Sequence, residues 1–378
     1  MPGSYTFLEF FAGGGMARAG LGAAWQCLLS NDIDPEKCAA YRRNFGGSDL
    51  FEGDINDLTL SRLPDQTPDL AWASFPCQDL SLAGARGGIR AERSGVFFPF
   101  WKIMEGMIAN RHGPKIIAIE NVTGLLTSNG GRDFATIIEC LAQQNYQATA
   151  LVVDAKNFVP QSRPRLFILG FADGVSPLMA DETPSATLAP SALHHALTHL
   201  SSKAQKNWGW LDVSLKSQNR TRLSDIIEWD TPDWHKPAQT ARLLSMMSDS
   251  QRQRIDALIK YRARRVGTAF RRTRTVDGKS VQRIEARFDG LAGCLRTPAG
   301  GSSRQIVFAI ENGNVRSRLF TPRETARLMG LPENYILPEN NTAALKLTGD
   351  GVCVPVVRWL AEQIFEPSLG VKRNRKAA

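Results

Sequence analysis

YTFLEFFAGGGMARAGLG, Tyr5 to Gly22, holds an apolar run, three glycines and then a helical spacing of apolar and small residues. A strand that breaks at glycines into a helix is how a doubly wound α/β sheet begins, and glycines there let the backbone approach a ligand closely. The spacing departs from the usual dinucleotide fingerprint, so a tight strand-to-helix turn explains these glycines as well as a ligand does. The next 150 residues extend the pattern. Cys27–Asp32 reads as a strand and Pro35–Asn44 as a helix. Short strands are expected at Leu50–Ile55 and Asp69–Phe75, a helix at Val96–Ile108, a buried strand at Lys115–Val122 and a helix at Asp133–Gln143. Gln147–Val153 and Arg165–Phe171 read as a final strand pair. Alternation of this kind implies a mostly parallel, doubly wound sheet, which binds ligands at the carboxyl ends of its strands.

The chain has 378 residues, enough for a large domain and a smaller one. No apolar run is long enough to span a membrane, and MPGSYTFLEFF does not resemble a secretory leader. Six scattered cysteines without a CxxC pair argue against a zinc site or a disulfide framework and for a reducing, cytoplasmic setting. The net charge of +9 suits a polyanionic partner without specifying one. Texture changes after about residue 175, where Ser, Thr, Pro and His become frequent. Further on, YRARRVGTAFRRTR, Tyr261 to Arg274, packs six arginines into fourteen residues. Helical periodicity returns at Pro322–Met329 and Val352–Ile364, and the last residues, VKRNRKAA, form a basic tail.

Several strand ends carry groups suited to chemistry. Asp32 follows the glycines by about 20 positions, where an acid commonly takes ribose hydroxyls, and Asp54 in EGDIND suits an adenine amino group. These groups fit S-adenosylmethionine as well as NAD, and each aspartate alone is also an ordinary cap. Cys77, in SFPCQDLSLAG, follows a strand that Pro76 cannot continue. A thiol there is either a small buried residue or a nucleophile, which needs an electropositive setting. Glu120 ends KIIAIENV, and a carboxylate closing a buried strand needs a task or a partner. Gln161, Arg163 and Arg165 precede the last strand.

Eight segments in order, FAGGG, SNDID, GDI, FPCQ, ENV, Q-x-R-x-R, TPRETARLMGLP and the late G-x-x-V of LTGDGVCVP, resemble the DNA cytosine-5 methyltransferase family. The match spans most of the chain around a variable middle. It implies an α/β, Rossmann-like fold dependent on S-adenosylmethionine, with residues 1–185 catalytic and 186–320 a smaller target-recognition domain. Residues 321–346 would be a hinge, and 347–378 would return to pack beside the first strand. By this resemblance Cys77 attacks C6 of a cytosine flipped from duplex DNA. Glu120 serves N3 and the amino group, Arg165 holds O2 and Arg163 supports the site. Phe11 packs on adenine, Asp32 takes the ribose and Asp54 the adenine amino group, with Ala12, Gly13, Gly15, Ile33, Ile55, Pro76, Val96, Asp350 and Val352 lining the cofactor. Gln78, Ser81, Arg86, Arg90 and Arg93 lie on the loop expected to close over DNA. Gln161, Arg271, Arg272, Arg274, Arg296, Ser302 and Arg304 are the remaining DNA candidates. The implied enzyme is a DNA (cytosine-5-)-methyltransferase acting as a monomer, the modification partner of a restriction endonuclease.

Two positions depart from the family. The late element is usually Gly-Asn, whereas Gly349 is followed here by Asp350, and Ala83 stands where relatives often have a hydroxyl. Three other readings remain. A tRNA cytosine methyltransferase of the same fold would carry Cys-Phe-Thr and Pro-Pro-Cys, which this chain lacks. A binding-only relative has Asp350 as its support. An NAD enzyme using Cys77 explains the glycines but not the arginines or TPRETARLMG.

Overall fold

The structure, a computed structural model, describes residues 5–75, 95–260, 264–276, 278–298 and 303–370. The chain forms two units. The larger comprises Met1–Asp154, Pro164–Lys216 and Val352–Ala378, and the smaller Ala155–Arg163 and Ser217–Gly351.

In the larger unit β1 (Tyr5–Phe10), β2 (Trp25–Asp32), β3 (Leu50–Glu52), β4 (Leu70–Ala73), β5 (Ile116–Val122), β6 (Gln147–Asp154) and β7 (Pro164–Phe171) form one sheet in the order β3-β2-β1-β4-β5-β7-β6. The strands from β3 to β5 run parallel, and β7 is antiparallel to both its neighbours. Strand order reverses between β1 and β4, which is the switch point where such sheets open a crevice. Helices α1 (Met16–Leu21), α2 (Pro35–Phe45), α3 (Phe97–Ala109) and α4 (Arg132–Gln143) connect the strands. Sequence chemistry explains their starts. Asp34 caps α2 by accepting the Glu36 and Lys37 N–H groups at 2.9 and 3.2 Å, and Pro35 supplies a preset φ at the first helical position. The central strands β4 and β5 are buried on both faces, so β5 reads as an unbroken apolar run up to Glu120. Phe10, Phe97, Phe100, Ile119 and Phe134 belong to the core on one side of the sheet.

The expected boundary at 185/186 moves to Lys216. The reason lies in α5 (Ser191–Leu197) and α6 (Ser202–Lys206), whose Leu193, Ala196 and Ala204 are fully buried in the core of the larger unit. Leu188 O accepts Val152 N at 2.8 Å and Asn207 O accepts Ala148 N at 2.7 Å, so this segment covers the open edge of β6. Glu139 of α4 fixes the start of α6 by accepting the N–H and hydroxyl of Ser201 at 2.6 and 2.7 Å. A short ribbon of β8 (Met179–Ala180) and β9 (Trp210–Leu211) completes the segment. The returning helix α12 (Val354–Leu360) lands on α1: Arg358 donates to Leu21 O and pairs with Glu366, which accepts from Trp25 Nε1 at 3.2 Å. Among the described residues no helix is long and apolar enough to cross a membrane.

The smaller unit is an antiparallel sheet in the order β11-β10-β12-β13, formed by β10 (Arg265–Val276), β11 (Lys279–Arg287), β12 (Ile306–Glu311) and β13 (Asn314–Leu319). After the short α7 (Leu223–Ile226), helices α8 (Pro237–Ser245) and α9 (Asp249–Lys260) bury Leu243, Met247 and Ile255 with Ala269, Ile284 and Phe308 of the sheet. Pairing of β10 with β12 ends at Ala269, whereas pairing with β11 continues to Val276. The outer half of β10 and β11 is therefore a two-stranded ribbon. The segment expected to be a hinge forms α10 (Pro322–Leu328) and the start of α11 (Asn341–Asp350), and both belong to this unit.

Candidate active site at the carboxyl edge of the large sheet

The chain leaves β1 through Phe11, which adopts φ +58°, a conformation strained for a bulky residue. Ala12 N then donates to Asn31 O at 2.8 Å, and Gly13 N to Asp32 Oδ2 at 2.7 Å, so the glycine turn folds over the end of β2. Gly15 has φ +73°, and a Cβ there would lie 2.5 Å from the Phe45 ring. The turn therefore needs glycine for its own conformation and packing, beyond any ligand.

Asp32 is 8% exposed, and its other oxygen accepts Asp34 N at 2.8 Å. Burial pushes its carboxyl up, against the two amides and Lys37. Each oxygen thus accepts one backbone N–H, and a carboxylate oxygen has capacity for a second donor. Asn31 donates to Phe51 O and Gly53 O at 3.1 and 2.9 Å, which draws the end of β3 against that of β2. Asp54 follows directly and caps the next turn through Asn56 N at 2.8 Å. The aspartates read from the sequence thus sit on adjoining strand ends. Ile33, next along the chain from Asp32, is 63% exposed, and the ring of Phe11 meets Phe75 edge-on at 6.3 Å. Ile55 is buried beneath, and Val96 packs on the core at the start of α3.

Glu9, which the sequence reading did not single out, lies buried under the turn, with Oε1 accepting Arg18 N at 3.4 Å. Burial pushes its carboxyl up to about 8, with Arg18 pulling the other way. In the unfolded chain it ionises near 4.5, so between these values the folded state holds a proton that the unfolded state has released. That contribution is full below pH 4.5 and is lost as pH rises towards 8. In Glu9→Gln the fall in stability across this window should shrink. Urea unfolding at several pH values tests it, and an unchanged slope would count against a neutral Glu9.

Two strands along, Glu120 on β5 meets Arg165 on β7, Oε1 to Nε 3.2 Å. The pairing register sets Val122 opposite Arg165 and Phe167 opposite Glu120, so the contact is a cross-strand diagonal. Both side chains are largely buried yet reach solvent, at 9% and 15% exposure. Asn121, also unassigned from sequence, donates to Phe75 O at 3.4 Å and accepts Val122 N at 2.9 Å. It fastens the chain leaving β4 beside Glu120. Pro76, Cys77, Gln78, Ser81, Ala83, Arg86, Arg90, Arg93 and Ser302 lie outside the described residues.

The other named residues divide between the units. Val352 is buried at the start of the returning segment of the larger unit. Gln161, Arg163 and Asp350 belong to the smaller unit. Arg163, expected to support the catalytic site, is 1% exposed, and both its terminal nitrogens donate to backbone carbonyls of the smaller unit. Arg271, Arg272 and Arg274 occupy the outer ribbon, where Arg272 faces Arg283 across the strands. Arg272 and Arg296 both lie over the Phe270 ring, 4.8 and 5.8 Å from its centroid. Burial, then the nearby Arg296, lowers the Arg272 guanidinium, while Glu285 opposes this. Burial also lowers Arg304.

Groups arranged this way around the switch point define a doubly wound α/β enzyme. The model of the family described as C-5 cytosine-specific DNA methylase matches residues 5–366. Among curated proteins the chain is 29% identical to the Type II methyltransferase M.HpaII of Haemophilus parainfluenzae over 96% of this chain and 89% of that protein. It is 28% identical to M1.ScrFI of Lactococcus lactis subsp. cremoris, over 96% of this chain and 78% of that one. Among solved structures, the Dnmt2 methyltransferase of S. pombe aligns with a TM-score of 0.59 at 17% identity, over 97% of this chain and all of that one. The chain belongs to the C-5 cytosine-specific DNA methylase family, and is thus a DNA cytosine-5-methyltransferase.

Proposed function

We propose that this enzyme methylates C5 of a cytosine flipped out of duplex DNA within one short sequence, using S-adenosylmethionine and Cys77. The observation that carries the reading is the Glu120–Arg165 pair, placed beside the chain that leads from Phe75 to Cys77. The strand ends at the switch point support the cofactor reading: the buried Asp32 carboxylate accepts one backbone N–H on each oxygen and is followed by the exposed Ile33. Asp32 would take the ribose hydroxyls, Asp54 the adenine amino group, and Phe11 and Ile33 the faces of the adenine. Bound there, S-adenosylmethionine supplies an electrophilic methyl on a sulfonium centre.

The residues of the chain do the rest. Cys77 adds to C6 as thiolate, and the ring takes up the electron pair. Glu120 holds a proton at N3 while that charge builds, and Arg165 donates to O2. After methylation a base removes the C5 proton and the thiolate leaves. No bound metal takes part in these steps.

The arginine-bearing ribbon of β10 and β11 would face the DNA, since a two-stranded ribbon fits a major groove. The relatives' names support a place in a restriction-modification pair, with a cognate endonuclease cutting the same sequence. We place the enzyme in the cytoplasm, working as a monomer. Methyl transfer from labelled cofactor to mixed-sequence duplex DNA, followed by bisulfite sequencing, tests this. The expected result is C5 label in one short context, weakening steeply with salt. Transfer to RNA but not DNA would overturn it.

A further inference from the structure

The segment Gly293–Pro298 of the smaller unit belongs to no strand, yet side chains hold it along its length. Gln305 brackets Gly293, accepting its N–H at 2.9 Å and donating to its carbonyl at 2.7 Å. Gln161 accepts Leu295 N at 2.9 Å and anchors its amide on Leu328 O at 2.7 Å. Arg163 donates from Nη1 to Leu295 O at 2.9 Å and Cys294 Sγ at 3.3 Å, and from Nη2 to Gly349 O and Gly351 O at 2.9 and 2.7 Å. One buried guanidinium thus ties this segment to the end of α11. The contact is close. A Cβ on Gly349 would lie 2.7 Å from the Arg296 carbonyl and 2.8 Å from Thr297 N. Asp350 then accepts the Thr297 hydroxyl.

We propose that Asp350 is a positioning residue for DNA recognition: through Thr297, and with Arg163, it fixes the backbone that presents Arg296. This rests on the DNA reading above. An aspartate only accepts hydrogen bonds, and a hydroxyl is the donor that complements it; charge strengthens the bond over the amide that relatives carry. Position 350 therefore serves sequence discrimination here. Arg163 is the buried half of the same clamp.

The test compares wild type with Thr297→Val, Thr297→Ser and Asp350→Asn. Two quantities are read: methylation of the preferred context relative to the next best by bisulfite sequencing, and the S-adenosylmethionine Kd by calorimetry. Thr297 is exposed, so valine should fold. Losing one charge-assisted bond should lower the context ratio about fivefold in Thr297→Val, and serine should restore it. Asparagine, which keeps an acceptor, should give a smaller loss, and the Kd values of both Thr297 variants should stay within about twofold of wild type. A weakened Kd with an unchanged ratio would overturn the proposal, as would no change in either. Absence of a preferred context in the wild type would instead remove the DNA reading, and this proposal with it.

Discussion

Cys77→Ser should bind S-adenosylmethionine like wild type yet lose transfer to cytosine C5 by on the order of 10⁴-fold or more. Attack on C6 needs an anion. A free thiol is already a few per cent ionised at neutral pH, whereas a serine hydroxyl is essentially un-ionised without a strong base beside it. In the proposed mechanism Glu120 serves N3 of the cytosine and is not the base for residue 77. The cofactor site proposed above draws on the ends of β1 to β3 and should not respond to the change. Single-turnover transfer of labelled methyl measures the first effect and calorimetry the second. A duplex with 5-fluorocytosine at the target adds a covalent readout. Fluorine cannot leave C5 as a cation, so wild type should stay bound to DNA in a denaturing gel and Cys77→Ser should not. Transfer by the serine variant within tenfold of wild type would sink nucleophilic catalysis by Cys77.

The acidic strand ends beside the glycine turn were legible because their residues follow from backbone rules. Glycines after an apolar run, and acids where strands end, need no tertiary information to be noticed. The same holds for the Asp34–Pro35 start of α2 and for Thr321-x-x-Glu324, whose hydroxyl and carboxylate form a reciprocal cap at α10. The Q-x-R-x-R segment was harder. Its even spacing suggests one face and one task, yet the division between units falls at Pro164. Gln161 and Arg163 brace the smaller unit while Arg165 turns to Glu120 in the larger. The boundary at Lys216 was hidden because residues 186–216 have the composition of a linker. Leu193, Ala196, Leu200 and Ala204 are spaced for one helical face, but they are sparse among polar residues. Nor does composition reveal a burial such as that of Arg318, since arginine is the residue least expected inside.

That burial gives the largest expected effect on stability. Arg318 and Glu324 both have side chains of 0% exposure and form a two-pronged pair, Nη1 to Oε2 at 2.7 Å and Nη2 to Oε1 at 2.5 Å. Glu324 also accepts Thr321 N on Oε2 at 2.9 Å and Glu228 N on Oε1 at 2.7 Å. Its four acceptor sites are thus filled. Arg318 donates further to Leu319 O and Glu228 O and lies over the Trp234 ring, 4.6 Å from its centroid. Glu324→Leu would leave a buried cation and two backbone donors without their acceptor. Removing one partner of a buried pair costs about 3–5 kcal/mol, and for a unit of this size that lowers the melting temperature by roughly 10 °C. Replacing both residues, as Arg318→Met with Glu324→Leu, removes the stranded charge and should recover most of that loss. Recovery should stay incomplete, because Thr321 N and Glu228 N still lack their acceptor. Differential scanning calorimetry of the full chain distinguishes the cases. A drop of only a degree or two in the single variant would mean that water reaches Arg318 and that the pair is not the anchor of α10. A double variant no more stable than the single would place the energy in the backbone donors and not in the paired charges.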